Sequence, residues 1–262
     1  MGKNLKKTDS FFVVGDLHTH IETAESILAQ NPARVIWLGD WLDRHGEVDG
    51  PYECVKVAQF LRKIMVDRPQ DVFIMGNHEL AYRFPEAEKY AICGSTRAKV
   101  TAFNEYFPEK LWDRFKIAHV EEWNSQKLVF SHAGLTPTFF PLGKFDEDHL
   151  TRIAKIAIDH GHRSDYNPLF DHDSAGPMWM RWQTFPLFEG ICQIVGHTCF
   201  ACPQIRAVST GPEWNLGLDC AHTYYAVFKD KHAFAIDRHK GYEKLLNFTA
   251  PKTPKYELDC RE

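Results

Sequence analysis

Five short motifs carry residues that bind metals or move protons, and each follows a short apolar run. The motifs are Gly15-Asp16-Leu17-His18, Gly39-Asp40-Trp41-Leu42-Asp43-Arg44, Gly76-Asn77-His78-Glu79, Ser131-His132-Ala133-Gly134 and Gly196-His197-Thr198. Six nitrogen or oxygen donors stand out in them: Asp16, His18, Asp40, Asn77, His132 and His197. A set without thiolates suits a borderline divalent ion such as Mn²⁺, Fe²⁺ or Zn²⁺ rather than Ca²⁺. Because six donors exceed the need of one catalytic ion with open positions, we predict two ions that share one carboxylate.

Each of these residues, taken singly, also has an ordinary structural explanation. An Asp after a strand often caps a helix, and this applies to Asp16 and Asp40. A lone His132 is commonly a loop residue, and Asn77 is a frequent turn residue. The joint occurrence at five strand ends is what indicates a site. In extended backbone, residues two apart point the same way, so Asp16 and His18 are expected to reach one ion.

The apolar runs before the motifs predict five buried strands, with helical patterns between them. The strands are predicted at 11–14, 34–38, 72–75, 128–130 and 191–195, and the helices at 22–30, 51–66, 97–115 and 146–160. Further strands are predicted at 205–209, 214–218, 224–228 and 233–236, with a hairpin turn at Asp230 and Lys231 and a loop-rich stretch over 161–178. This alternation indicates an α/β fold, in which sites form beyond the carboxyl ends of strands. The five motifs are therefore expected to meet at one rim.

Composition sets outer limits on the class of protein. The chain has 262 residues, 44% of them hydrophobic, which excludes a disordered chain. Its 31 basic and 35 acidic residues give a net charge of −4, so neither nucleic acid nor a membrane surface is expected as a partner. Seven irregularly spaced cysteines form no disulfide framework, and Cys199 and Cys202 are interpreted as ordinary loop cysteines.

No apolar stretch resembles a signal peptide or a membrane-spanning helix, so a cytoplasmic protein is expected. A single domain is predicted over residues 1–262, with its core at about 11–240 and a peripheral tail at 241–262. The oligomeric state stays open.

The five motifs occur in an order that resembles the calcineurin-like metallophosphoesterases. The nearest branch is the phosphoprotein phosphatase family of Ser/Thr phosphatases, of the bacterial and phage type. The resemblance covers about residues 11–240. It implies a two-sheet β-sandwich flanked by helices, with a dinuclear metal site at the rim of the sheets.

The resemblance also implies a role for each metal ligand. Asp16 and His18 would bind the first ion, and Asp40 would bridge both ions. The second ion would be bound by Asn77, His132 and His197. Mn²⁺ is the expected ion, with Fe or Zn²⁺ as alternatives.

The remaining roles implied by the resemblance concern substrate and proton transfer. His78 would be the general acid and Asp43 the carboxylate that orients it. Arg44 and Arg181, together with Asn77, would bind the phosphate, with Arg181 matched on the short segment Met178-Trp179-Met180-Arg181-Trp182.

Three positions depart from the family pattern. Thr19 stands where the family usually has glycine, and His45 separates Arg44 from the glycine that normally follows it. Cys199 occupies the position of a histidine that binds the first metal in many broader metallophosphoesterases.

The expected chemistry follows from these groups. Two ions that share a water lower its pKa, so a metal-bridged hydroxide can attack phosphorus. Arg44 and Arg181 would stabilise the developing oxygen charge, and His78 would protonate the leaving oxygen. The sequence therefore predicts a phosphatase acting on phosphate monoesters, either phosphoprotein or a small ester. Two alternatives stay open: a symmetrical dinucleoside tetraphosphate hydrolase, and an inactive metal-binding scaffold.

Overall fold

The computed structural model describes residues 10–44, 50–85, 94–136, 147–159, 176–184, 187–207 and 211–248. Within them, two mixed β-sheets share one apolar core, and a second apolar cluster lies between the larger sheet and the helices. The predicted α/β sandwich flanked by helices is confirmed.

The larger sheet carries the first three motifs at its edge. Its strands are β1 (Phe11–Val14), β2 (Val35–Trp37), β3 (Val72–Ile74), β4 (Phe115–Lys116), β10 (Tyr224–Lys229), β11 (His232–Asp237) and β12 (Tyr242–Leu245). Their order is β12-β11-β10-β1-β2-β3-β4. Strands β1 to β4 are parallel, whereas β10 pairs antiparallel with β1. The residues that follow β1, β2 and β3 therefore emerge at the same edge.

The smaller sheet carries the other two motifs. Its strands are β5 (Ala118–Trp123), β6 (Gln126–Ser131), β7 (Cys192–Val195), β8 (Gln204–Ala207) and β9 (Trp214–Gly217), in the order β5-β6-β7-β9-β8. Strands β6, β7 and β9 are parallel. His132 directly follows β6, and His197 follows β7 after one glycine, so both histidines reach the edge that the larger sheet also uses.

Alternate residues of the central strands face the two sides of the larger sheet. Val13 and Ile36 belong to the cluster between the sheets, which includes Trp214 of β9. Their neighbours Val14 and Trp37 belong to the cluster under the helices. Because both faces are buried, these strands are apolar throughout, as is usual for parallel strands.

The helices are α1 (Ile21–Leu28), α2 (Pro51–Asp67), α3 (Asn77–Arg83), α4 (Arg97–Tyr106) and α5 (Glu147–Asp159). The predicted helices at 22–30 and 51–66 are confirmed, and α5 matches the helix predicted at 146–160, whose end residues lie outside the described part. Helix α2 begins with Pro51, where a missing amide costs nothing, and the Gly50 amide donates to the Glu53 carboxylate at 2.9 Å.

One helix prediction is wrong. Residues 97–115 do not form a single helix, since α4 ends at Tyr106, a 3₁₀ turn covers Glu109–Arg114, and Phe115 begins β4. Pro108 explains the break, because proline disfavours helical backbone in the preceding residue and lacks an amide hydrogen. Phe107 accordingly has extended backbone, with φ −100° and ψ 108°.

The sheet continues beyond residue 240. Strand β12 pairs with β11, and Phe248 stacks on Trp214 with ring centroids 3.8 Å apart. The predicted turn at Asp230 and Lys231 joins β10 to β11. Among the described residues, every helix is too short or too polar to cross a bilayer.

Candidate metal centre

A cavity of about 510 Å³ lies at the shared edge of the two sheets. The predicted ligands that line it are Asp16, His18, Asp40, Asn77 and His197, and the predicted phosphate-binding and acid residues that line it are Arg44, Arg181 and His78. His132 is fully buried beside them, with Nε2 3.0 Å from Oδ1 of Asn77. The fold thus brings the predicted site residues, from Asp16 to His197, together around one cavity.

Asp40 is common to two groups of metal-binding side chains. One group contains His18 and His78 and the other contains His132 and His197, and in each the ligand atoms lie within 4.8 Å of one another. Oδ2 of Asp40 is 3.3 Å from Nε2 of His132 and 3.9 Å from Nε2 of His78. A carboxylate shared by two groups suits a pair of ions.

The imidazoles are oriented as metal ligands usually are. Nδ1 of His18 donates to the Asp43 carbonyl at 2.8 Å, and Nδ1 of His132 donates to the Leu38 carbonyl at 2.8 Å. These contacts turn Nε2 toward the cluster, as the outer hydrogen bonds of metal-bound histidines do. Nε2 of His197 is buried and has no hydrogen-bond partner in the described part of the chain. An orphaned imidazole nitrogen beside carboxylates fits a cation.

The pKa shifts of the buried carboxyl groups at the cavity also indicate a cation site. Burial and the nearby Asp219 carboxylate raise the pKa of Asp16 well above its usual value. Burial also raises the pKa of Asp219. Burial would raise the pKa of Asp40 too, but His132 and His78 outweigh it and hold that pKa well below the usual value. Buried carboxylates that repel one another are stabilised by divalent cations, so these residues fit a metal pair.

Several site residues have left-handed backbone without being glycine. The φ angles are 50° at Asp40, 59° at Asp43 and 63° at His197. Such conformations are strained for residues with a side chain and cluster at functional sites.

The predicted geometry of the first motif is wrong in one respect. The backbone at His18 and Thr19 is not extended but left-handed, with φ 41° and 65°. A turn, rather than the two-residue period of a strand, brings Nε2 of His18 to 4.0 Å from Oδ2 of Asp16.

Glu79 holds the loop that presents Asp40. Its carboxylate accepts from the amides of Asp40 at 2.9 Å, Trp41 at 2.8 Å and Gly76 at 2.8 Å. The Asp40 Oδ1 atom in turn accepts from the His78 amide at 3.0 Å. A Cβ on Gly76 would lie 2.1 Å from that Oδ1, so glycine is required there.

His78 is backed by a buried carboxylate. Its Nδ1 lies 3.4 Å from Oδ2 of Asp43, which is fully buried. Tyr82 Oη donates to Oδ1 of Asp43 at 2.8 Å, and Lys99 Nζ donates to it at 3.2 Å. Burial lowers the pKa of His78, but Asp40 and Asp43 outweigh it and raise the pKa above its usual value. Sequence reasoning missed Tyr82 and Lys99, because neither stands in a motif.

The two arginines reach the cavity from different elements. Nε of Arg44 donates to Thr19 Oγ1 at 2.8 Å, and a terminal nitrogen of Arg181 donates to the His197 carbonyl at 3.3 Å. The inserted His45 lies outside the described residues.

Sequence reasoning also missed a group of cavity-lining residues. Asp219 follows β9 as Asp16 follows β1, and this signal could have identified it. His222 donates through Nδ1 to the Asp16 carbonyl at 3.0 Å, and its ring packs against that of His20 at a tilt, with ring centroids 4.1 Å apart. Cys199 lines the cavity, and burial raises the pKa of its thiol.

A family model described as calcineurin-like phosphoesterase matches residues 10–199. Among solved structures, a mutant of a cold-active protein tyrosine phosphatase is 15% identical, with 92% of this chain and 81% of that chain covered and a TM-score of 0.60. A protein serine/threonine phosphatase from Saccharomyces cerevisiae with similarity to human phosphatase PP5 is 12% identical. The match covers 96% of this chain and 83% of that chain, with a TM-score of 0.51. These likenesses show the shared fold. No curated protein matches the chain.

Proposed function

Because this chain belongs to the calcineurin-like phosphoesterase family, we propose that it is a metal-dependent phosphatase that hydrolyses phosphate monoesters. One observation carries the proposal: Asp40, which belongs to both metal-binding groups, lines a single cavity together with Arg44, Arg181 and His78. Phosphoprotein or a small phosphate ester is the proposed substrate.

The ions are proposed to be held by residues of both sheets. Asp16, His18 and Asp40 would bind the first, and the second would be bound by Asp40, Asn77, His132 and His197. Mn²⁺ is proposed, with Fe or Zn²⁺ as alternatives, since imidazole and carboxylate ligands suit all three. Bound there, such ions supply Lewis-acid activation of the phosphate and of the attacking water.

The arginines are proposed to hold the phosphate. Arg44 and Arg181 line the same cavity, and a guanidinium offers forked donors that match non-bridging phosphate oxygens. Two forked donors beside a metal pair favour a dianion, which is the charge of a monoester. Asn77 also lines the cavity and is proposed to contact both metal and substrate through its amide.

His78 is proposed to protonate the leaving oxygen. Its Nδ1 faces Asp43, so Nε2 carries the proton that faces the cavity. Asp40 and Asp43 raise the pKa of His78 above its usual value, which favours the protonated ring that a general acid needs. Asp43 is proposed to orient the ring, because Tyr82 and Lys99 in turn hold its carboxylate.

A substrate panel tests the proposal. Protein stripped with a chelator and reloaded with Mn²⁺ is assayed on p-nitrophenyl phosphate, phosphoserine, phosphothreonine and phosphotyrosine peptides, and diadenosine tetraphosphate. Metal-dependent release of phosphate from at least one monoester is expected. Turnover of diadenosine tetraphosphate alone would replace the monoesterase with a phosphoanhydride hydrolase, and a protein that binds metal but hydrolyses nothing would be a scaffold.

A further inference from the structure

Thr19 combines a strained backbone with a directed side-chain contact. It is 5% exposed and has φ 65°, which is a rare conformation for a β-branched residue. Glycine would adopt the same conformation without steric cost. The Thr19 amide donates to the Trp41 carbonyl at 2.7 Å, a contact that any residue except proline could make. The backbone alone therefore does not explain a threonine here.

The hydroxyl of Thr19 offers the explanation. Its Oγ1 accepts a hydrogen bond from Nε of Arg44 at 2.8 Å. Nε is the inner nitrogen of the guanidinium, so a contact there fixes the plane of the group close to its point of attachment. A long arginine side chain otherwise loses considerable rotamer freedom when it is ordered on a ligand.

We propose that Thr19 is a positioning residue that holds the Arg44 guanidinium ready to bind the substrate phosphate. This inference rests on the proposed function and deepens it, because Arg44 acts on substrate only if the cavity takes phosphate esters. Thr19 does not line the cavity, whereas Arg44 does, so Thr19 acts through Arg44. A prepositioned donor binds phosphate more tightly because less ordering remains to be done on binding.

The test compares Thr19→Gly, Thr19→Ser, Arg44→Ala and the double variant Thr19→Gly/Arg44→Ala. Each is measured for kcat and KM on p-nitrophenyl phosphate, for inhibition by inorganic phosphate, and for binding of inorganic phosphate by calorimetry. Melting temperature and metal content are recorded for every variant. Thr19→Ser is the matched control, because it keeps the hydroxyl.

Thr19→Gly is expected to raise KM and the phosphate dissociation constant about three- to tenfold, the usual effect of losing one hydrogen bond. Its kcat should stay within about twofold, its metal content unchanged and its melting temperature equal or higher, since glycine relieves the backbone strain. Thr19→Ser should bind phosphate within about twofold of the unmodified protein. In the Arg44→Ala background, Thr19→Gly should have no further effect, since coupled residues are not additive.

Two results would overturn the inference alone. In the first, Thr19→Gly has the same phosphate dissociation constant as the unmodified protein, whereas Arg44→Ala binds phosphate weakly. The other is Thr19→Gly weakening phosphate binding by the same factor with and without Arg44, which would make Thr19 a purely structural residue. If Arg44→Ala binds phosphate normally, the role of Arg44 and this inference fall while the hydrolase stands. If the unmodified protein hydrolyses no phosphate ester, the proposed function falls and this inference falls with it.

Discussion

The backbone amide of His197 donates to both carboxylate oxygens of Asp16, at 3.1 and 3.0 Å. Asp16 follows β1 of the larger sheet, and His197 follows β7 of the smaller sheet. This contact links the two halves of the sandwich at the candidate metal centre. The Asp16 carboxylate leaves no space for a side chain at Gly196, because a Cβ there would lie 2.1 Å from Oδ1 of Asp16.

Gly196→Ala is therefore expected to displace the Asp16 carboxylate and lower metal content. Activity on p-nitrophenyl phosphate should fall about 10²-fold or more, as misplaced catalytic groups typically cause. Metal analysis and steady-state kinetics measure both effects. Gly50→Ala is the control, since its φ is −98° and the nearest obstacle is the Glu53 carboxylate at 3.3 Å. Normal metal content and activity in Gly196→Ala would contradict the close contact.

Asp40→Ala is expected to be the most damaging loss among the proposed ligands. Asp40 belongs to both metal-binding groups, so its removal should lower metal stoichiometry toward one or zero and abolish hydrolysis. Metal analysis after gel filtration measures the stoichiometry, with the exposed Asp67→Ala as the control. Retention of two tightly bound ions by Asp40→Ala would refute the bridging role.

His78→Ala is expected to keep both metals and the fold. The value of kcat should drop by about 10²–10⁴ on an alkyl phosphate, whose leaving group needs a proton. The loss should shrink on p-nitrophenyl phosphate, whose leaving group is stable as an anion. Because His78 also lies in a metal-binding group with His18 and Asp40, metal analysis decides between acid and ligand. Equal losses on both substrates, or loss of an ion, would rule out the general acid.

Arg181→Lys is expected to raise KM for phosphate esters and to weaken inhibition by inorganic phosphate. Lysine keeps the charge but offers no planar fork of donors, so a several-fold effect is expected with metal content unchanged. Steady-state kinetics with phosphate as inhibitor measures the change. Arg62→Lys on the exposed face of α2 is the control. If KM and phosphate inhibition are unaltered, Arg181 does not bind the substrate phosphate.

Metal binding is expected to strengthen as pH rises. Burial lowers the pKa of His132, but the Asp40 and Asp16 carboxylates outweigh burial and raise that pKa to about 10. At that pKa His132 holds a proton near neutral pH in chelator-stripped protein and must release it to a metal, and the raised pKa of Asp16 acts in the same direction. Affinity should rise by up to about tenfold per pH unit for each released proton. Calorimetry in buffers of different ionisation enthalpy measures the release, and an affinity independent of pH between 6 and 8 would contradict it.

The strands that carry the motifs could be predicted because they are buried on both faces. Continuous apolar runs such as the one ending at Val14 stand out in sequence, and a polar motif directly after a run marks its end. Strands β5 and β12 lack this signal. Each lies at the edge of its sheet and contains charged residues, Glu121 and Glu122 in β5 and Lys244 in β12. Their pairing is decided by tertiary contacts rather than by local pattern.

The residues that hold Asp43 could not be predicted, because they contact it from distant parts of the sequence. Asp43 is held by Tyr82, 39 residues away, and by Lys99, 56 residues away. Nothing in either local sequence points to a buried carboxylate. The left-handed turn at His18 and Thr19 was also missed, because Thr19 is β-branched and such residues rarely have positive φ. The glycine that the family usually has at this position was the signal of the turn.

The pairing of β1 with β10 has a consequence for biosynthesis. Phe11 pairs opposite Phe228, so β1 leaves the ribosome well before β10, and the centre of the larger sheet closes only once β10 has been made. The parallel strands β1, β2 and β3 can assemble earlier, but one edge of β1 stays open during that time. A nascent chain with an exposed apolar edge is prone to pair with other chains. Slow translation between β7 and β10 would lengthen that exposure, and a chaperone that covers β1 would shorten it.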